Sequence, residues 1–249
     1  MVVQPDAGRL APSGWGQAPS RIPTATPASD DLFERTAPLY AFMREHLFRD
    51  DSGRFAQALW PNQTPPSGTL LLEIGCGPGV YSRRLAAHYP SVRAVGVDRS
   101  AALVSLATAR ATSEQLANCR VQQGNALALD WPDGCVDAVV ASRLFTVVDG
   151  TRALGEIHRV LRPGGRCVLA EPVSVLGTFL PFLALRLAGR LVGIQPDSDG
   201  DTSCGHAPRR LSESELVSVV RSQEWLDYSI TRANGYLYAV CQKPSSDAT

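Results

Sequence analysis

The sequence predicts an α/β protein built on an open, doubly wound, mostly parallel seven-stranded sheet. Three observations carry this. Strand-length apolar runs alternate with helix-length amphipathic stretches from Leu70 to Ala170. The first run, Leu70–Ile74, has no alternation, as suits a parallel strand buried on both faces. A glycine-rich turn, Gly75–Gly79, then joins that run to a helical pattern. In an open α/β sheet such a turn lies at the carboxyl end of a strand, where ligands bind.

The elements follow in order. Residues 1–29 are rich in Pro, Gly, Ala and Ser and have no apolar period, which predicts a disordered leader. Over residues 30–60 apolar side chains recur at helical spacing, with Asp30 and Asp31 available as caps and Pro38 and Gly53 as breaks. This segment reads either as a helical appendage packed on the domain or as a cover over the ligand. Pro61–Gly68 is a linker, and the main domain spans 68–243.

The helix after the glycine turn runs from Tyr81 to Tyr89, stopped by Pro90. Strand two is Val92–Val97, ending at Asp98, and Ser100 caps a helix over Ala101–Arg110. Strand three is Arg120–Gln123 and strand four Val136–Ala141. Thr151 caps a helix to Leu161, which Arg162–Gly165 closes, and strand five is Cys167–Ala170. An insert over 172–208 follows. Its first part, Val173–Ile194, is strongly apolar but holds Arg186 and Arg190, too charged for a membrane span. It reads as an amphipathic cover for an acceptor pocket or as a face touching a membrane surface. Ser212 with Glu215 has capping-box spacing at the last helix. Tyr228–Arg232 and Tyr236–Gln242 read as closing strands around Asn234-Gly235, and 244–249 is a tail.

Composition narrows the function. The 249 residues carry 24 Lys+Arg and 24 Asp+Glu, so no basic excess points to nucleic acid. None of the six cysteines forms a C-x-x-C pair. Cys135, Cys167 and Cys241 read as small buried hydrophobes. Reduced thiols and a start lacking a basic and an apolar region together predict a cytoplasmic protein. No metal cluster is expected, and the oligomeric state has no signature.

The glycine spacing separates ligand classes. Gly75, Gly77 and Gly79 give G-x-G-x-G, whereas a dinucleotide fingerprint would need glycine at Val80. Pro78 removes an N–H that a pyrophosphate would use, and Glu73 favours a cationic ligand. Leu72-Glu73-Ile74-Gly75-Cys76-Gly77-Pro78-Gly79 resembles the first motif of class I methyltransferases, which bind S-adenosylmethionine (SAM). Asp130–Val140 and Ala153–Gly165 resemble the family's later blocks, so the likeness spans about Leu70 to Pro172, with a weaker echo to Lys243.

This resemblance implies a Rossmann-like fold, SAM as cofactor, and a small-molecule acceptor methylated on O, N or C. Glu73, Gly75, Cys76, Gly77 and Gly79 would form the cofactor turn. Asp98 would accept from the two ribose hydroxyls, against a reading as a helix-capping aspartate. Asn125 and Ala126 stand where the family has Asp-Ala beside adenine; the alternative for Asn125 is a turn residue. Arg99 replaces the usual aliphatic residue, and either stacks on the ring or points to solvent. Ser142, Arg143 and Phe145 occupy the acceptor edge, where Arg143 would bind an anionic acceptor or be a solvated charge. His206 is placed as a possible base, against an exposed loop histidine. His158 reads as a surface or packing histidine and not as a catalytic one. Two rival functions stand beside this one: a non-catalytic SAM-binding module and a nicotinamide-dependent oxidoreductase.

Overall fold

The computed structural model describes Glu34, residues 36–61, 64–173, Leu183, Ala184, Leu187 and residues 211–245. The expected leader, the caps Asp30 and Asp31, His206, Cys204, and all of the insert except Pro172, Val173, Leu183, Ala184 and Leu187 lie outside the described residues.

The sheet has seven strands: β1 (Leu70–Ile74), β2 (Arg93–Asp98), β3 (Cys119–Gln123), β4 (Val136–Ser142), β5 (Leu161–Pro172), β6 (Asp227–Ala233) and β7 (Tyr236–Gln242). Their order is β3-β2-β1-β4-β5-β7-β6. β1 to β5 are parallel, and β7 pairs antiparallel with both β5 and β6. The chain therefore reverses direction of travel between β1 and β4. Ligands bind at such a switch point, outside the carboxyl ends of the strands.

Three helices flank the parallel strands: α3 (Val80–His88), α4 (Ala101–Ser113) and α5 (Gly150–Val160). Ser100 caps α4 as expected, its side chain accepting from the Leu103 N–H. At α5 the cap is Asp149, accepting from the Arg152 N–H, and Thr151 lies inside the helix. A carboxylate beside the first free amides stabilises a helix start better than a threonine already within the turn. Arg162–Gly165 does not simply close this helix but enters β5 across a β-bulge, with Gly164 at φ 75°. No helix joins β3 to β4; Pro132 and Gly134 keep that connection in turns, and Leu129 and Trp131 tuck into the core.

The closing elements follow expectation. Ser212 and Glu215 form a capping box on α6 (Glu213–Val220). Asn234 and Gly235 both adopt positive φ (51° and 77°), which the tight β6–β7 turn requires. Cys167 and Cys241 are fully buried, while Cys135 is only partly so and its thiol donates to the Pro132 carbonyl. His158 packs its ring on Trp225 and bonds the Glu224 carbonyl. Among the described residues no helix is long and apolar enough to cross a membrane.

The N-terminal segment forms two helices, α1 (Ala37–His46) and α2 (Ser52–Leu59). Pro38 and Gly53 start them instead of breaking them; proline's missing N–H is not needed in a first turn. The helices share the domain's core. Phe55 is fully buried with its ring 4.5 Å from that of Tyr81 on α3. Glu45 on α1 accepts from Arg83 (2.6 Å), Arg84 (3.4 Å) and Arg110 (3.1 Å), drawing α3 and α4 to one carboxylate. Phe55→Ala is therefore expected to cost the whole domain about 3–5 kcal/mol, in a single transition by chemical denaturation. An unchanged midpoint for the sheet would show that α1 and α2 are a separable appendage.

Candidate functional site

The carboxyl ends of β1, β2, β4 and β5 converge on one edge, and each brings a polar group. The turn after β1 is folded tightly against β2. The Gly75 and Cys76 amides both donate to the Val97 carbonyl, at 2.8 and 3.0 Å. Gly75, Gly77 and Gly79 all take positive φ, between 52° and 70°, so side chains there would be strained. The buried Cys76 thiol packs against Gly96, where any Cβ would come within 2.9 Å of its sulfur. Burial holds that thiol well above its ordinary pKa, so Cys76 is a packing residue of the turn and not a thiolate.

Glu73 lies beneath the turn, buried, its carboxylate accepting from the Ser82 N–H at 2.7 Å in the first turn of α3. Burial raises its pKa, opposed by the Ser82 bonds and by the Arg44 guanidinium from α1. Its charge is thus met from within the protein.

Asp98 ends β2, partly exposed. One oxygen accepts from the Gly77 N–H at 2.7 Å and the other from the Ser100 N–H at 3.0 Å. It is therefore a turn aspartate, and it also ties the glycine turn to the start of α4. An ionised carboxylate can accept several hydrogen bonds at once, so a partly exposed one can serve the backbone and still face solvent. Glu34 sits beside it, accepting from the Ser100 hydroxyl and the Ala102 N–H.

After β3, Asn125 is exposed and its side-chain oxygen accepts from the Leu127 N–H, as a turn asparagine does. Ala126 packs on the core. Arg99 is exposed, and its carbonyl accepts from the Gln123 side chain.

The β4 end forms the other half. Ser142 closes the strand, where its side chain opposes the rise that burial imposes on the Tyr81 pKa. Arg143 follows with φ 61°, rare for a residue with a side chain. Its guanidinium lies 4.5 Å above the Phe48 ring and donates to the Tyr236 hydroxyl at 2.8 Å. Arg143 is therefore a placed charge and not a freely solvated one. Phe145 points into the core, 1% exposed, and does not line the edge.

The residue that joins the two halves was not singled out from sequence. Tyr40 on α1 comes within 3.1 Å of the Cβ position at Gly77, and Asp98, Arg143, Arg44 and Tyr236 all act on its hydroxyl. Burial outweighs the two arginines and raises its pKa. Its place among helical apolar positions gave only a packing signal. Glu171, an acid ending an apolar strand, carried a signal that was passed over: it is completely buried at the end of β5.

Comparison with known proteins identifies the class. A family model described as "Methyltransferase domain" matches residues 71–165. The chain is similar to a demethylmenaquinone methyltransferase of Deinococcus radiodurans, 32% identical over 154 residues, which are 61% of this chain and 64% of that protein. It is also similar to a demethylmenaquinone methyltransferase of Thermus thermophilus, 30% identical over 171 residues, 64% of this chain and 77% of that one. The chain spans 64% of the Deinococcus protein and 48% of a 37.1 kDa transposon protein of Streptomyces fradiae. Among solved structures, a SAM-dependent methyltransferase from Methanococcus maripaludis shares the fold, with TM-score 0.60 and 17% identity over 88% of this chain and 97% of that one.

The close approach of Tyr40 to the glycine turn is testable without any ligand. Gly77→Ala adds a methyl at φ 52° and 3.1 Å from the Tyr40 ring, and is expected to cost about 1–2 kcal/mol or more. In a double-mutant cycle, Tyr40→Ala should recover the contact part and leave the backbone strain. A purely additive cycle would separate α1 from the turn.

Proposed function

We propose that this chain, which belongs to the class I SAM-dependent methyltransferase family, transfers a methyl group from SAM to a small, mostly apolar acceptor bearing one polar, electron-rich group. The observation that carries the cofactor half is Asp98, a partly exposed carboxylate at the end of β2 tied to the glycine turn at 2.7 Å, where it would meet a ribose diol. Gly75–Gly79 would carry the methionine end and the Asn125-Ala126 turn the adenine end. Asn125 shares its oxygen with its own turn, so its part there is weaker than an aspartate's. SAM supplies an electrophilic methyl group when bound. The protein's task is then to hold the acceptor in line and keep water out.

Arg143, Phe48, Tyr236 and Tyr40 support the acceptor half. A guanidinium stacked on an aromatic ring presents charge in an apolar rim, suited to an oxyanion on an otherwise apolar ring. The relatives named as demethylmenaquinone methyltransferases support a quinol-type acceptor for this chain. In that reading Arg143 holds the ring oxygen in its deprotonated, electron-donating state. His206 and the apolar insert remain proposals for the acceptor side, as base and as roof. The balanced charge supports a small molecule over nucleic acid as partner.

Calorimetry tests the cofactor half. The protein should bind SAM and S-adenosylhomocysteine and not NAD, and Asp98→Ala should weaken both by about tenfold or more, since each charge-assisted bond is worth about 1.5–3 kcal/mol. NAD binding without SAM binding would support the oxidoreductase reading. Binding without transfer to any acceptor would support a SAM-binding module.

The acceptor half is tested with reduced 1,4-naphthoquinone, following methyl transfer by mass spectrometry. Arg143→Gln should lower turnover about tenfold, the scale of one charged contact, with S-adenosylhomocysteine affinity kept. Equal turnover would make Arg143 a structural charge.

A further inference from the structure

Glu171 has none of these roles. It is completely buried at the end of β5, on the sheet face that also carries Cys167 and Leu169 into the core. One oxygen accepts from both the Leu144 and Phe145 N–H groups, each at 2.9 Å. Among the described residues its other oxygen is buried without a partner. The two amides begin the turn after β4, in which Val147 and Val148 donate back to the Leu144 carbonyl and the Thr146 hydroxyl donates to the Arg143 carbonyl. Arg143 enters that turn at φ 61°, with its own N–H on the Ala170 carbonyl.

We propose that Glu171 is the positioning residue of the acceptor edge: as an anion it grips the Leu144 and Phe145 amides and so fixes Arg143 in the conformation that meets Phe48 and Tyr236. The proposal rests on the methyltransferase reading for its consequence in turnover, and on geometry for the rest. A buried carboxylate sharing one oxygen between two amides is a strong clamp only while charged; charge roughly doubles the strength of such bonds. A second acid serves the same edge from β5 to β4 as Asp98 does from β2 to β1.

The groups that face Glu171 are few in kind. From the turn come the Arg143 charge and the Leu144, Phe145 and Thr146 amides, all favouring the anion. From β7 the residue in register is the apolar Leu237, with Tyr236 next along the strand, opposite Pro172. Desolvation outweighs the favourable contacts and lifts the Glu171 carboxyl from 4.5 to about 7. The clamp is therefore half lost near neutrality. Turnover should rise with pH through about 7, as the anion forms. Stability runs the other way. A pKa raised on folding stabilises most below the unfolded value of about 4.5, and that contribution is lost as pH climbs through about 7. A residue that merely held the fold together would move both quantities in the same direction.

The test is acceptor-independent at its first step. In ¹⁵N NMR of the full chain, the Leu144 and Phe145 amides should titrate together with a midpoint near 7 in the wild type and lose that titration in Glu171→Gln. Turnover of reduced 1,4-naphthoquinone should show a rising limb over the same range. In Glu171→Gln it should be flat and lowered by about tenfold, with S-adenosylhomocysteine affinity within about twofold of wild type. Glu171→Asp, shorter but charged, should restore a limb. Amides that do not titrate in the wild type overturn the proposal even if the glutamine variant fails to fold. So does a rising limb that survives in Glu171→Gln, or a cofactor affinity that falls with turnover. Titrating amides in a protein that methylates no acceptor would refute the methyltransferase reading alone and support Glu171 as the clamp of this turn.

Discussion

Backbone amides converge at the carboxyl edge of this parallel sheet, because each strand there hands over to a helix or turn whose first N–H groups lack partners. Three strand-end acids answer them. Glu73, next to last in β1, takes the Ser82 amide. Asp98 ends β2 and takes those of Gly77 and Ser100. Glu171 ends β5 and takes those of Leu144 and Phe145. The loops that form the site are held by these carboxylates more than by contacts among themselves. Without them, five amides and the turns they begin would sit on a low-dielectric edge without acceptors.

The three acids differ in burial, and that divides their labour. Glu73 and Glu171 are buried, and desolvation raises both their pKa values. Glu73 is compensated by Arg44 of α1 together with the start of α3, Glu171 by Arg143 and a turn. Asp98 alone is partly exposed, so it binds the backbone while one side of it faces solvent. The position exposed to solvent ends β2, beside the glycine turn that follows β1.

The sheet was legible because its signals are local. Apolar runs, the Ser212/Glu215 box and Asn234-Gly235 each state their structure within a few residues, and each is found as read. Boundaries moved where two local signals competed, as when Asp149 outranked Thr151 as a cap. The turn and strand-end residues were legible through spacing and resemblance. Tyr40, Glu34 and Glu171 were not, because their roles are set by partners far away in sequence: Tyr40 meets Gly77, Glu34 meets Ser100, and Glu171 meets Leu144. A helical apolar period cannot say which face of the domain it will cover, and an acid before a proline cannot say whether it is buried.

Those long-range contacts also decide what α1 is. An appendage would leave the glycine turn and the β4 turn independent of each other. Here Arg44 lies 4.6 Å over the Tyr81 ring beside Glu73, Tyr40 lies against Gly77, and Phe48, just past α1, carries the Arg143 guanidinium. A displacement of α1 would therefore move the glycine turn and the Arg143 charge together. Two cations, Arg44 and Arg143, are held on aromatic rings at this mouth, where an apolar rim strengthens electrostatic attraction. The helix couples the two loops of this edge: the same ten residues that close over Gly77 also bring up Phe48, on whose ring the Arg143 guanidinium is stacked.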